Sequence, residues 1–247
     1  QANDIAIAPN GDILITGETY SIDFPVTNDA LQLVHALGGP LPPEFNTIAD
    51  VFFTRFDAAG QLTYSTYLGG TSNDNGVSVI ATPGNETLFV GLTNSENFPI
   101  TDNANPQFNS GGFITRLDEN NTLISTILFG YPISDVAVDE DGYTVIAGST
   151  SSSSFPATTG AFQSTVAGWS DGYVAWINQS AQIISATLIG GSFPETGASL
   201  TLAGNGDAII TGRTVSSDFP VTTDAIQPSH GGNADNPQIR ESADAFI

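Results

Sequence analysis

The sequence contains no cysteine, no methionine and no lysine, and its four basic side chains are all arginine. Without cysteine the chain has no disulfide, no thiolate metal ligand and no cysteine nucleophile. Its 26 acidic residues produce a formal net charge of -22 at pH 7. Such a field repels phosphate backbones, because nucleic-acid affinity depends on Lys and Arg displacing counterions. Nucleic acid and anionic membranes are therefore not expected partners.

Long hydrophobic runs are also missing, although 40% of the residues are hydrophobic. Apolar stretches such as those within residues 4–9 and 207–212 are far shorter than the roughly 20 residues that span a bilayer. We therefore expect no membrane insertion in this segment. The chain starts at Gln1 and shows no signal peptide, so we expect it to be a processed or internal segment.

What the sequence does contain is a repeat of the pattern G-x-T-x-x-x-x-F-P, which occurs four times with the same internal spacing. The prolines at 25, 99, 156 and 220 set a unit of about sixty residues. The repeated residues are Gly17, Thr19, Phe24 and Pro25; Gly91, Thr93, Phe98 and Pro99; Gly148, Thr150, Phe155 and Pro156; and Gly212, Thr214, Phe219 and Pro220.

Each unit also predicts four strands, A to D. The dipeptides Asn10-Gly11, Gly84-Asn85, Asp141-Gly142 and Asn205-Gly206 precede the repeated pattern, and they favour tight two-residue turns between strands A and B. Downstream segments alternate apolar and polar residues, as strands C and D would. Because helical periodicity is absent, we predict an all-β fold, a β-propeller of four-stranded antiparallel blades, rather than a sandwich or a parallel β-helix.

The predicted blades are residues 1–76, 77–131, 132–197 and 198–247, all in one propeller domain. The fourth is incomplete, because Ile247 lies inside strand C. We therefore expect these blades to belong to a ring of seven or eight, or their open edge to be covered by another chain. The Phe of each Phe-Pro is predicted to be buried between blades, with the Pro ending strand pairing.

Two further motifs carry a family resemblance. The segment Asp244–Ile247 reads D-A-F-I, echoed at Asp50–Phe53 and Asp171–Val174, and Tyr64–Gly70 reads Y-S-T-Y-L-G-G. With the repeated pattern, nearly the whole chain resembles the SBBP, or β-propeller repeat, family. The resemblance implies a secreted or surface-attached prokaryotic protein, often beside adhesion domains, without general enzymatic activity. The second copy departs from the family, with Gly112 where Asp is preferred, and the third has Ser154 before its Phe.

No catalytic constellation is predicted, so we do not expect an enzyme. The two histidines, His35 and His230, follow the Phe-Pro proline at the same interval, so they are repeat-equivalent and do not form a set of zinc ligands. Serine is plentiful, but the chain has no lysine for a Ser-Lys pair, and the sequence gives no reason to pair either histidine with a nucleophilic serine. Arg55 and Arg116 share one column of strand C, so they are not expected to converge as sialidase arginines would.

If strand A is innermost, the D-to-A and B-to-C connections share one end of every blade. That end would carry the longest insertions, residues 31–48 and 226–243, and long loops on a rigid scaffold often serve recognition. We predict a binding face there, for protein (further blades or neighbouring subunits) or surface glycan, although tolerated surface variation explains the same pattern. Its candidate residues are Asp23, His35, Asp50, Asp74, Glu195, Asp218, His230 and Asp244.

Calcium is the one cofactor left open. The densest acidic run, Asp139–Gly142, occupies a predicted turn and lacks the pattern of an EF-hand. The sequons at Asn85, Asn120 and Asn178 fall in predicted turns, where a glycan could be accommodated.

Two functions remain open at this level. The first is a non-enzymatic extracellular scaffold in a cell-surface protein, adhesin or filament assembly, at the surface of a prokaryote. The second is a carbohydrate-binding or carbohydrate-active propeller, similar to a lectin or glycosidase. The second would need aromatic rings for sugar stacking, and the candidates are Phe45, Phe162, Trp169 and Phe193.

Overall fold

A computed structural model describes residues 1–36, 48–101, 110–231 and 243–247. In these residues the chain forms β-strands and no helix, and therefore no helix that could cross a bilayer. The strands are β1 (Ala2–Ile7), β2 (Ile13–Thr19), β3 (Asp50–Phe56), β4 (Leu62–Leu68), β5 (Asp74–Ala81), β6 (Thr87–Thr93), β7 (Gly111–Leu117), β8 (Leu123–Leu128), β9 (Ile133–Val138), β10 (Thr144–Thr150), β11 (Asp171–Ile177), β12 (Ile183–Ile189), β13 (Glu195–Leu202), β14 (Ala208–Thr214) and β15 (Asp244–Phe246).

Within the described residues, each strand pairs only with its neighbours in sequence. The sheets run β1-β2-β3-β4, β5-β6-β7-β8, β9-β10-β11-β12 and β13-β14-β15, which we call blades 1 to 4. The all-β fold of antiparallel propeller blades is thus confirmed. β5 and β13 begin at Asp74 and Glu195, slightly ahead of the predicted boundaries. The chain divides into two compact units, residues 1–136 and 137–247, and each is described by itself. The total blade number and the single domain stay predictions.

The A-to-B hairpins differ from the predicted two-residue turns. In blade 1 the Gly11 N–H donates to the Ala8 carbonyl at 2.8 Å, and the Ala8 N–H donates to the Asp12 carbonyl at 2.8 Å. Only the second residue of each predicted dipeptide has a positive φ, 90° at Gly11 and 63° at Asn85. This is a longer turn closed by one left-handed residue, a form that also fits the twist of a hairpin.

The phenylalanine of each repeat packs against the strand-C aromatic residue of its own blade. The ring centroids are 4.7 to 4.9 Å apart in all four pairs. The ring contact itself lies within one blade, because the chain leaving strand B folds back over strand C, while Phe98 also belongs to a core cluster that includes Phe53 of blade 1. Phe98 and Phe155 are buried, whereas Phe24 and Phe219 are half-buried. The pairs are Phe24–Phe52, Phe98–Phe113, Phe155–Tyr173 and Phe219–Phe246.

The repeated threonine is the last residue of strand B in every blade, as expected for a strand end. Its Oγ1 accepts a hydrogen bond from the N–H two residues later, at 2.9 Å from Ser95 to Thr93 and 3.0 Å from Ser216 to Thr214. Such a side-chain bond offers the backbone an alternative to further strand pairing. The threonine therefore helps to end strand B.

Each unit has its own apolar core. In residues 1–136, Phe53 of blade 1 stacks on Phe89 of blade 2 with centroids 5.0 Å apart and planes 5° apart. The second core, in residues 137–247, is smaller and is built around Val145, Ala147, Val174 and Leu200. Aromatic side chains thus fill the space between blades 1 and 2.

Candidate functional site: buried carboxylate junctions

Two carboxylates meet where blade 1 passes into blade 2. Asp50 is the first residue of β3, Asp74 is the first residue of β5, and both side chains are fully buried. Asp50 Oδ2 accepts hydrogen bonds from the Ala36 N–H at 2.7 Å and from Gln32 Nε2 at 3.1 Å. Gln32 Oε1 in turn accepts from the Gly69 N–H at 3.0 Å. We call Gln32, His35, Asp50, Gly69 and Asp74 the first junction.

Asp74 is held by the other side of the same turn. Its Oδ2 accepts from the Gly70 N–H at 2.7 Å and from Ser95 Oγ at 2.9 Å. A Cβ added to Gly69 would lie 2.6 Å from Asp50 Oδ1 and 2.9 Å from Asp74 Oδ2. Both carboxylates therefore press against this glycine, and only a residue without a side chain fits between them.

The same arrangement recurs where blade 3 passes into blade 4. Asp171 Oδ2 accepts from the Ala167 N–H at 2.8 Å and from the Gln163 side-chain amide, and Gln163 Oε1 accepts from the Gly190 N–H at 2.9 Å. Glu195 takes the place of Asp74, and both acids are fully buried. We call Gln163, Val166, Asp171, Gly190 and Glu195 the second junction.

Both oxygens of Glu195 accept hydrogen bonds. Its Oε2 accepts from the Gly191 N–H at 2.9 Å. Its Oε1 accepts from Thr214 Oγ1 at 2.7 Å and from Ser216 Oγ at 2.5 Å. Ser216 thus takes the role that Ser95 has in the first junction.

Asp244 of blade 4 repeats half of this network. It accepts from Gln227 Nε2 and from the Gly231 N–H, each at 2.6 Å. Asp244 is half-buried, as is His230. Three blades therefore use one glutamine and one backbone N–H to hold the aspartate that begins strand C.

The passage from blade 2 to blade 3 lacks both acids. Gly111 pairs with Thr93, in the register that Asp50 keeps with Thr19 and Asp171 with Thr150. The residue in the aspartate column is therefore Gly111 and not Gly112 as expected, because sequence comparison alone could not fix the register within the two glycines. Ile133 begins β9, and it is buried with Phe129 and Tyr131. An apolar cluster replaces the polar network here.

Burial determines the electrostatics of the first junction. It raises the pKa of Asp50 from 3.8 to about 6, against the opposing effects of the Ala36 N–H and of His35, while the nearby Asp74 adds to the rise. Burial also raises the pKa of Asp74 and of Glu195. His35 is buried, and its Nε2 lies 3.8 Å from Asp50 Oδ1. The first junction therefore includes a base beside its acids.

The raised pKa of Asp50 predicts a stability gain on acidification. The folded protein binds this proton more tightly than the unfolded chain, so the contribution is fully present below pH 3.8 and is lost as the pH rises through about 6. Asp50→Asn should reduce the loss of stability between pH 5 and pH 7, measured by urea unfolding. Asp23→Asn, at an exposed position, should leave the pH dependence of the free energy of unfolding unchanged. If Asp50→Asn loses as much stability between pH 5 and pH 7 as the wild-type chain, Asp50 is not the titrating group.

The structure divides the predicted binding face into buried and exposed parts. Asp50, Asp74, Glu195 and His35 are buried, whereas Asp23 and Asp218 are exposed. Asp218 accepts from the Ser192 N–H at 2.9 Å and from Ser192 Oγ at 2.5 Å, and these bonds lower its pKa. A binding role for these residues stays a prediction. Residues 37–47 and 232–242 of the two long insertions, including Phe45, lie outside the described residues.

Sequence reasoning missed four members of these networks: Asp171 and the glutamines Gln32, Gln163 and Gln227. A signal for the glutamines was present. Each follows its Phe-Pro proline, at 25, 156 or 220, by the same interval. Because glutamine is common in loops, the shared interval alone does not indicate a role for these residues. The role becomes clear from the structure, where the Gln32 and Gln163 side chains each connect an aspartate with a glycine N–H.

The arginines and the acidic turn have structural contacts. Arg55 is 3% exposed, and its Nη2 donates to Thr87 Oγ1 at 2.7 Å. Arg116 pairs with Glu86 at 2.6 Å. In the turn, Asp139 Oδ1 accepts from the Asp141 and Tyr143 N–H groups. Within the described residues, no three His, Cys, Asp or Glu side chains form a metal-binding group.

Comparison with known proteins adds little to this geometry. No protein-family model matches the chain, and no curated protein sequence matches it. Among solved structures, the chain is similar to the X-ray structure of a candidate gluconolactonase, with 14% identity and a TM-score of 0.41. The likeness covers 85% of this chain and 54% of that chain, so this chain spans about half of that structure. The fold assignment rests on the strand pairing above.

Proposed function

We propose that the chain belongs to the SBBP repeat family and serves as a non-enzymatic scaffold in a cell-surface protein, adhesin or filament assembly of a prokaryote. The observation that supports this most is the use of its repeated acids. Asp50, Asp74, Asp171 and Glu195 are fully buried in hydrogen-bonded junctions between strands. A buried carboxylate that accepts hydrogen bonds from a glutamine amide and backbone N–H groups holds a loop in place.

The charge of the chain supports the same proposal. A net charge of -22 keeps molecules apart in solution and disfavours nonspecific contact with anionic surfaces. The partners we propose are further blades or neighbouring subunits, or a surface glycan. Recognition would then fall to exposed residues such as Asp23 and Asp218.

Two measurements test the proposal. Antibody labelling and protease digestion of intact producing cells should reach the protein, whereas exclusively intracellular protein would contradict a surface role. Purified chain should not turn over glycoside, ester or lactone substrates. Turnover that is abolished by Asp50→Asn or Asp244→Asn would overturn the non-enzymatic assignment.

Carbohydrate binding is the second candidate, and one observation favours it. Phe162 and Trp169, both on the connection from β10 to β11, are 69% and 70% exposed. Exposed aromatic rings offer apolar faces on which sugar rings can stack. A glycan array should then show binding that Trp169→Ala removes and that Ile184→Ala, at an exposed apolar position of the same blade, retains. An array without signal would eliminate this function.

A further inference from the structure

The second junction buries two carboxylates whose hydrogen-bond donors, within the described residues, are all neutral. They are the Gln163 amide, the Ala167 and Gly191 N–H groups, Thr214 Oγ1 and Ser216 Oγ. Asp171 Oδ1 accepts no hydrogen bond from any described residue, although the side chain is fully buried. A buried carboxylate oxygen without a donor is costly unless another group compensates it.

Within the described part of the chain, the first junction has unpartnered oxygens of the same kind, Asp50 Oδ1 and Asp74 Oδ1, but there His35 Nε2 lies 3.8 Å from Asp50 Oδ1. His35 follows Gln32 by three positions, and the next N–H, of Ala36, binds Asp50. In the second junction the corresponding residue after Gln163 is Val166, and the next N–H, of Ala167, binds Asp171. The two networks therefore share the glutamine, the backbone N–H and the aspartate, but Val166 stands where the first has His35 and Glu195 stands where the first has Asp74.

The unpartnered oxygen faces its neighbour across the glycine. A Cβ added to Gly190 would lie 2.7 Å from Asp171 Oδ1 and 2.5 Å from Glu195 Oε2. The two oxygens therefore lie on the same side of Gly190 and close to one another. The two acids are also present or absent together. Where blade 2 passes into blade 3, Gly111 takes the position of Asp171 and Ile133 takes the position of Glu195.

We propose that Asp171 and Glu195 bind a divalent cation of the calcium class at the second junction. Two carboxylates with backbone carbonyls and water form the oxygen-only ligand set that calcium takes. A zinc-type site is disfavoured, because it would require three or four nitrogen, sulfur or carboxylate ligands from side chains. At the first junction the His35 ring already lies beside the Asp50 oxygen, whereas no basic side chain of the described residues lies within ion-pair distance of Asp171.

Calcium titration of the whole chain tests the site directly. After chelator treatment, calorimetry should show one saturable calcium ion per chain, with a dissociation constant of about 1 mM or tighter. Calcium should also raise the Tm and change the tryptophan fluorescence, because both tryptophans, Trp169 and Trp176, lie in the sequence around Asp171. No heat, no Tm shift and no fluorescence change up to about 10 mM calcium would overturn the proposal.

Variants distinguish calcium binding at this site from nonspecific calcium binding by an acidic protein. The double change Asp171→Asn with Glu195→Gln should weaken calcium binding at least tenfold, whereas Asp139→Asn with Asp141→Asn should leave it unchanged. Val166→His should weaken binding tenfold while raising the Tm of the calcium-free chain, and this variant decides the question if the double change fails to fold. Calcium binding that survives Asp171→Asn with Glu195→Gln would overturn the proposal. So would an Asp50→Asn chain that acid still stabilises and calcium does not, which would indicate a proton shared by Asp171 and Glu195.

Discussion

Phe98→Ala should lower the free energy of unfolding by about 3–5 kcal/mol, the range for removing a buried phenylalanine ring. Phe98 is 5% exposed, its ring lies 4.7 Å from that of Phe113, and it belongs to a core cluster with Phe53 and Phe89. The change removes both the apolar area and the ring contact, and it leaves a cavity between packed aromatic side chains. Urea unfolding followed by circular dichroism measures the loss.

The matched control is Phe24→Ala, at the same place in the repeat. Phe24 is half-buried and lies 4.8 Å from Phe52, so its loss should be smaller, although the ring contact is similar. Phe98→Leu should recover part of the stability, because it restores apolar volume without the ring. Equal losses for Phe98→Ala and Phe24→Ala would show that burial does not decide the effect.

Gly91→Ala is the second large effect, with an expected loss of about 3 kcal/mol, near the upper end for an overpacked core. A Cβ at Gly91 would clash with the backbone carbonyl of Asn75 and would lie 2.7 Å from the ring of Phe113. The carbonyl is fixed by strand pairing between β5 and β6, so the side-chain ring and the strand would both have to move. Gly17 and Gly212 have corresponding neighbours, a backbone carbonyl and the aromatic ring of strand C, which explains the glycine of the repeated pattern in these three blades.

Gly84→Ala is the control for Gly91→Ala in the same blade. Its added Cβ would meet only Thr82 Oγ1, at 3.8 Å. That change should be neutral or slightly stabilising, since alanine restricts the unfolded chain more than glycine does. If thermal melting shows both variants equally destabilised, a backbone effect and not the clash would be responsible.

The strands could be predicted from sequence because each blade is local. Strands A to D follow one another along the chain, and period-two alternation with repeated turn residues marks them without knowledge of distant contacts. The turn type could not be predicted, since Asn10-Gly11 suits both a two-residue turn and the observed turn with one left-handed residue. The packing of Phe98 on Phe113 was likewise hidden, because it depends on how the loop folds back.

The acids were interpreted as part of a surface because charged side chains are rarely buried. Asp50 and Glu195 depart from that rule because backbone N–H groups of the glycine turns, hydroxyl groups and glutamine amides surround them. These donors come from segments far apart in sequence, such as Gln32, 18 positions from Asp50, and Ser216, 21 positions from Glu195. No local pattern shows that such a set will converge, so the burial of the acids is apparent only in the folded structure.

The paired acids constrain how such an array could change by duplication or shuffling. A strand C that begins with aspartate is followed by a strand A that begins with an acid, and Gly111 is followed by Ile133. If blade 2 were duplicated in tandem, Gly111 of the first copy would be followed by Asp74 of the second copy. The buried Asp74 would then lack the aspartate and the glutamine that lie beside it in the first junction. Blades of this chain are therefore not interchangeable parts. Successful recombination should move the end of one blade together with the start of the next.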